Sequence, residues 1–120
     1  MAGMPKRRRN RARRRRNGLR YEVDGKILGD FHTSDVDAVY ESILDAMEWD
    51  TLAVYPGTED YGDLYINGQV KLNSWTQHAG MTEAQAERAQ IIENIVYALH
   101  DADFGYLDES DVKVRITDAF

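Results

Sequence analysis

The stretch at 63–72 has the sequence Asp63-Leu-Tyr-Ile-Asn67-Gly68-Gln-Val-Lys-Leu72, with apolar and polar residues alternating on both sides of an Asn-Gly pair. Alternation with a period of two is typical of a half-buried β-strand, and Asn-Gly is a strong signal for a two-residue type I′ turn. The stretch therefore predicts a β-hairpin. A second hairpin is predicted at 19–28, where Leu19-Arg-Tyr-Glu-Val23 and Lys26-Ile-Leu28 flank Asp24-Gly25.

Two other stretches have the helical period. The first follows Thr33 and Ser34, either of which can cap a helix, and its apolar residues recur at i, i+3, i+4 and i+7. These apolar residues are Val36, Val39, Tyr40, Ile43, Leu44 and Met47. The second helix is predicted from the capping-box pattern Thr82-Glu-Ala-Gln85 to about Ala102, with Gly105 just past its end. The residues that it is expected to bury are Ile92, Ile95, Val96 and Leu99.

Two single strands complete the predicted elements, at Thr51-Leu-Ala-Val-Tyr55 and Val112-Lys-Val-Arg-Ile116. The order hairpin, helix, strand, hairpin, helix, strand predicts an α+β fold, with an antiparallel sheet and two helices on one of its faces. If one strand of each hairpin belongs to the main sheet, the order becomes a ferredoxin-like βαββαβ arrangement. Trp49 and Trp75 are expected to seal the core.

Charge divides the chain into two unlike parts. The 120 residues have a formal net charge of −6, yet residues 1–20 hold ten of the 15 basic residues and no acidic one. The other hundred residues hold five basic and 21 acidic residues. Blocks of like charge repel themselves and stay solvated, so we expect a disordered arginine-rich arm at 1–18 and an acidic α+β domain at 19–120.

Composition also excludes several classes of protein. No apolar run approaches the roughly 20 residues that a membrane span needs, and the absence of cysteine excludes disulfides and thiol chemistry. The acidic run at 101–111 does not fit an EF-hand loop, and the three histidines, His32, His78 and His100, are far apart. Without a phosphate-binding glycine loop or a nucleophile elbow, we expect no enzyme, no catalytic or metal-binding residue and no cofactor.

The arm is suited to binding nucleic acid. Guanidinium groups stay charged and make bidentate hydrogen bonds to phosphate oxygens or guanine edges, while side-chain amides can read a base. RNA is favoured over DNA as the ligand. The predicted nucleic-acid-binding residues are Lys6, Arg7, Arg8, Arg9, Asn10, Arg11, Arg13, Arg14, Arg15, Arg16 and Asn17.

The eleven residues Lys6-Arg-Arg-Arg-Asn-Arg-Ala-Arg-Arg-Arg-Arg16 resemble the arginine-rich motif of phage antitermination N proteins and of lentiviral Rev-type proteins. Those families use the motif as a helix in the widened major groove of an RNA hairpin or internal loop. The resemblance implies an RNA-binding arm and a viral or phage type of protein, and it ends near Gly18. A nuclear-import signal and an arm that lies on its own acidic body are the alternatives.

The acidic body is expected to repel nucleic acid, which would leave binding to the arm alone, and to bind a protein partner. The predicted protein-binding residues lie in the loop between the third strand and the second hairpin, where tyrosine is interleaved with acid: Glu59, Asp60, Tyr61 and Asp63. Tyr55 and Tyr65 are expected to face the core as strand residues. Solubility or adaptation to high salt would equally explain the acidity.

The sequence thus predicts a small nucleic-acid-binding protein, with the arm on phosphate and the body on a protein, and with no membrane partner. It would act in the cytoplasm, or in the nucleus of a eukaryotic host. One alternative is a phage-type inhibitor whose acidic body mimics nucleic acid on a host enzyme. Another is a structural particle protein with a genome-binding arm.

Overall fold

The computed structural model describes residues 19–57 and 62–119, so the predicted arm at 1–18 lies outside the described residues. Short 3-10 turns at Thr33–Asp35 and Glu109–Asp111 precede the first helix and the last strand. The helices and strands are β1 (Leu19–Ile27), α1 (Val36–Ala46), β2 (Glu48–Pro56), β3 (Leu64–Leu72), α2 (Glu83–Asp101) and β4 (Val112–Asp118).

The four strands form one sheet in the order β2-β3-β1-β4, and every neighbouring pair is antiparallel. The helices contact each other, and their apolar residues share one core cluster with one face of the sheet. Element order and strand order together are those of a ferredoxin-like arrangement. The predicted α+β class, with two helices on one face of an antiparallel sheet, is therefore confirmed.

The two predicted hairpins are wrong, because each Asx-Gly pair lies inside a continuous nine-residue strand. Asp24 of β1 pairs with Asn67 of β3, so the two dipeptides face each other across the centre of the sheet. A two-residue turn at 67–68 would set Ile66 opposite Gln69 and so bring a polar residue onto the apolar face. The continuous strand instead keeps the apolar positions in phase, and this burial outweighs the local turn preference. The buried positions of β3 are Leu64, Ile66, Gly68, Val70 and Leu72.

Gly68 has a packing role instead of a turn role. The pairing of β2 with β3 shifts register between Trp49 and Thr51, and this bulge brings the Thr51 carbonyl and the Trp49 ring over Gly68. A Cβ atom at Gly68 would lie 3.0 Å from the Trp49 ring and closer still to the carbonyl oxygen. Glycine is needed here because the neighbouring strand approaches the backbone itself.

Both helix starts have caps. The predicted capping box of α2 is confirmed: the Gln85 N–H donates to Thr82 Oγ1 over 3.1 Å, and the Thr82 N–H donates to Gln85 Oε1 over 2.8 Å. At the other helix, Thr33 and Ser34 lie within the 3-10 turn, and the Asp35 carboxylate accepts from the His32 N–H. The predicted capping by Thr33 or Ser34 is therefore wrong, and the helical region begins one or two residues earlier than predicted.

The core differs from the prediction at one position of α2. Ile91 is fully buried whereas Ile92, which was predicted to be buried, is only partly buried; Ile95, Val96 and Leu99 are buried as expected. The residue with positive φ after the helix is Asp103, at 72°, and not Gly105. The two tryptophans pack against the core as predicted, and Trp49 Nε1 donates to the Ile43 carbonyl over 2.8 Å.

The burial difference between Ile91 and Ile92 gives a matched pair of variants. Ile91→Asp should lower the free energy of unfolding by about 4 kcal/mol or more, because it buries an unpaired charge and empties a packed site. Ile92→Asp, at a partly exposed position, should cost roughly 1–2 kcal/mol. Urea unfolding followed by circular dichroism measures both, and equal losses would contradict the orientation of α2.

Gly68→Ala tests the packing role of the central glycine. The added methyl group must displace the bulged strand, so we expect a loss of about 1–3 kcal/mol in unfolding free energy. Gly105→Ala is the control, since no heavy atom lies within 4 Å of a Cβ there. A Gly68→Ala variant as stable as the control in thermal melts would contradict the close approach of β2 to β3.

Candidate interaction surface

One face of the sheet packs on the helices, and among the described residues no helix covers the other, which we call the open face. Strand alternation and the pairing register assign its side chains to four rows that cross the sheet. The first row, which we call the tyrosine–lysine row, is Tyr55, Tyr65, Lys26 and Lys113. The other three rows are Ala53, Asn67, Asp24 and Arg115; then Thr51, Gln69, Glu22 and Thr117; then Glu48, Lys71 and Arg20.

The open face gathers the basic residues of the body. Of the five lysines and arginines that follow Arg20, all but Arg88 lie in its rows. The charged residues of the two helices and of the segment after α2 are mostly acidic. Among the described residues, Arg88 is the one lysine or arginine in these elements. Their acidic residues include Asp35, Asp37, Glu41, Asp45, Glu83, Glu93, Asp101, Asp103, Asp108 and Glu109. The negative charge of the body is therefore concentrated on the helix side.

Ion pairs bring the open face close to charge balance. They are Arg20–Asp50 at 2.9 Å, Arg115–Asp24 at 3.5 Å, Lys71–Glu48 at 3.8 Å and Lys26–Asp63 at 4.0 Å. Both side chains are exposed in the Arg20–Asp50 and Arg115–Asp24 pairs, and exposed pairs contribute about 0–1 kcal/mol each, because water and salt screen them. Arg20 and Arg115 can therefore exchange their carboxylates for another anion at small cost.

Tyr55 and Tyr65 lie side by side on this face, and the prediction that they face the core is wrong. The core-facing positions beside them are occupied by Val54, Leu64 and Ile66. The two rings are 5.7 Å apart between centroids and inclined by 51°, and Tyr55 is 44% exposed. An aromatic pair thus stands next to two lysines on a sheet face that no helix of the described residues covers.

Of the predicted protein-binding residues, the structure describes only Asp63; Glu59, Asp60 and Tyr61 lie outside the described residues. The Asp63 side chain is 15% exposed, and its Oδ1 accepts the Gly29 N–H over 3.1 Å. Its carboxylate therefore holds the loop after β1 against the loop before β3. The structure gives Asp63 a role within the fold, and its predicted contact with a protein partner stays a prediction.

The predicted nucleic-acid-binding residues at 6–17 also lie outside the described residues. The structure does fix where the arm joins the body. β1 begins at Leu19, opposite Leu72, and Arg20 follows in the last row of the open face with Nε on Asp50. The arm is therefore connected to the body at the end of the sheet remote from the tyrosine–lysine row.

A buried polar pair was missed by sequence reasoning. Tyr21 and Glu87 are 2% and 4% exposed, and the Tyr21 hydroxyl donates to Glu87 Oε1, while Glu87 Oε2 has no partner among the described residues. Burial, followed by the hydrogen bond from the hydroxyl to Glu87, raises the Tyr21 pKa well above its ordinary value. The Arg88 guanidinium lies 5.9 Å from the centre of the Tyr21 ring, and its Nε donates to the Ile116 carbonyl. The pair belongs to the core, since neither group is open to a substrate.

Two carboxylates of the acidic segment after α2, those of Asp108 and Asp111, accept hydrogen bonds within that segment. Asp108 accepts from the Ser110 N–H over 2.9 Å, and hydrogen bonds from Ser110 lower the Asp108 pKa. His100 Nε2 lies 2.8 Å from the Leu107 carbonyl oxygen.

Within the described residues, no group of three or more histidines or acids could hold a metal ion. No helix in this part of the chain is both long and apolar enough to cross a membrane.

Comparison with known proteins adds no relative to this picture. No protein-family model matches the chain, and no curated protein and no solved structure matches it.

The Tyr21 hydroxyl predicts an alkaline loss of stability. Because folding raises its pKa above the unfolded value of about 10, its contribution is complete below pH 10 and is lost as the pH rises further. Between pH 9 and 11 the wild type should lose about 1.4 kcal/mol more unfolding free energy than Tyr21→Phe. Urea titrations at both pH values measure this difference, and parallel losses would contradict the buried neutral phenol.

Proposed function

We propose that this chain is a small nucleic-acid-binding protein of viral or phage type, with RNA favoured over DNA. The arm residues at 6–17 would bind phosphates, and the acidic helix side of the body would bind a protein partner. The observation that carries this proposal is the charge division of the chain: ten basic and no acidic residues in the first twenty, against 21 acidic residues in the rest. Its site of action would be the cytoplasm of the host cell, or the nucleus if the host is eukaryotic.

The physical basis is counterion release. Every phosphate neutralised by an arginine releases condensed cations, so binding is strong at low salt and falls steeply as salt rises. Engagement of roughly six to ten phosphates would lower the affinity by about 10³–10⁵ between 50 and 200 mM salt. Arginine suits this role better than lysine because its planar group binds two phosphate oxygens at once.

The body geometry supports an approach of nucleic acid from the sheet side. The arm joins the body beside Arg20 and Lys71, in the last row of the charge-balanced open face. The acidic residues of the helices lie across the sheet from this face. A nucleic acid held by the arm can therefore run along the open face without meeting the strongest negative charge of the body.

The helix side suits a basic protein surface. Asp37, Glu41 and Asp45 are exposed and recur every four residues along α1, so their backbone positions are about 6 Å apart. This line of carboxylates would pair with lysines and arginines of a partner. Evenly spaced negative charges also resemble the phosphates along a nucleic-acid strand. The same line of carboxylates therefore favours the second candidate function, in which the acidic body occupies the nucleic-acid site of a host enzyme.

The proposal predicts a salt-dependent role for the arm. We expect the full chain with Arg13, Arg14, Arg15 and Arg16 changed to Gln to bind RNA with a log–log salt slope shallower by about 3, since each lost contact to a single strand removes about 0.7. Replacement of the same four residues by Lys is the control, and it should keep most of the slope. Fluorescence anisotropy with a labelled RNA hairpin and its DNA counterpart, from 50 to 200 mM salt, measures both.

Unchanged affinity in the Gln variant would overturn the nucleic-acid role of the arm. Equal affinity for the two hairpins would remove the preference for RNA and leave the rest in place. If the wild type binds neither hairpin and instead displaces nucleic acid from a host enzyme, the second candidate is correct.

A further inference from the structure

Among the described residues, the tyrosine–lysine row brings together two kinds of side chain, aromatic rings and lysine ammonium groups. Tyr55 pairs with Tyr65, Tyr65 pairs with Lys26, and Lys26 pairs with Lys113, so the four side chains follow one line across all four strands. Three strand spacings give the row a length of about 14 Å. No carboxylate of the strands belongs to the row, and Asp63, in the loop beyond the strand end, pairs with Lys26 over 4.0 Å.

These groups match the two parts of an unpaired nucleotide. An aromatic ring stacks on a base of any sequence, and ammonium groups attract the phosphates on either side of it. A base inside a duplex is already stacked on both faces, so a row of this kind favours single strands. Elsewhere among the described residues the exposed tyrosines, Tyr97 and Tyr106, stand on the acidic helix side.

We propose that the tyrosine–lysine row is a second nucleic-acid site, which takes unpaired bases of a single strand. Tyr55 and Tyr65 stack the bases, and Lys26 and Lys113 meet the flanking phosphates. This inference rests on the proposed function, because the arm supplies the main affinity and the row adds contacts to a strand that the arm already holds. It departs from the expectation that the acidic body leaves binding to the arm alone, because the basic residues of the body gather on the open face.

The distance between the two sites fits one continuous strand. Arg20 and Lys26 are six residues apart on β1, which is about 20 Å along an extended strand. Arg20 and Lys71 lie at the end of the sheet where the arm joins the body, and Arg115 lies in the row next to the tyrosine–lysine row. The cations of the open face therefore mark a path from the arm to the tyrosines, and the exposed ion pairs of Arg20 and Arg115 can open to phosphate.

The test compares two labelled RNAs on the full chain: a hairpin with a single-stranded tail of uridines, and the same hairpin with a blunt end. Tyr55→Ala/Tyr65→Ala should weaken binding of the tailed RNA by about tenfold or more and leave the blunt hairpin unchanged. Tyr55→Phe/Tyr65→Phe should bind the tailed RNA like the wild type, because phenylalanine also stacks. Tyr97→Ala, which removes a tyrosine that is 56% exposed on α2, is the matched control and should change neither affinity.

Lys113→Gln tests the phosphate contact separately. It should make the log–log salt slope for the tailed RNA shallower by about 0.7 and leave the slope for the blunt hairpin unchanged. Thermal unfolding of every variant checks that the sheet is intact. If the Ala variant loses stability, Lys113→Gln keeps the test valid, and an unchanged salt slope for the tailed RNA would then overturn the row as a site.

Equal affinities of the Ala double variant and the wild type for the tailed RNA would overturn the row as a site. The proposed function would still stand if the variant with the four arm arginines changed to Gln loses RNA binding. It would fail if that variant binds RNA like the wild type. If the Ala double variant abolishes a dimer in sedimentation and leaves RNA binding unchanged, the row is a contact between two copies, and the inference is overturned.

Discussion

The pairing of β1 with β3 is the constraint on which the rest of the structure depends. Nine consecutive residue pairs join the two central strands, and the outer strands can add only where these two place them. Because neighbouring residues on a strand point to opposite faces, this register fixes both faces at once. It puts Val23, Ile66 and Val70 under the helices, and it places Lys26, Tyr65 and Lys71 on the open face.

The class of fold was predictable because each helix has a clear period and a clear boundary, as at the capping box of Thr82. The strand at 112–116 was predictable for the same reason. The two hairpins were mispredicted because Asn67-Gly68 is a local signal, whereas the partner of Gly68 is Val23, far away in sequence. The polar residue that a turn would have set opposite Ile66 was visible in the sequence and favours the continuous strand.

The candidate site divides in the same way. The arm is a run of adjacent residues, so composition alone indicates its chemistry. The tyrosine–lysine row is contributed by four separate strands, and its members meet only through the sheet order. The net charge of the body gives no sign of this surface. Basic and acidic residues are mixed along the chain, and strand alternation separates them only in the folded structure. Glu87 was missed because a single acid on a helix is normally solvent-exposed.

The bulge between Trp49 and Thr51 has a consequence for assembly. It distorts β2, an edge strand of the sheet, and that strand ends at Pro56, which has no N–H to offer a neighbour. Irregular edges of this kind are poor templates for strand addition from another chain. Under the proposed function, copies of the chain bound side by side on one nucleic acid would therefore not join into a shared sheet at this edge.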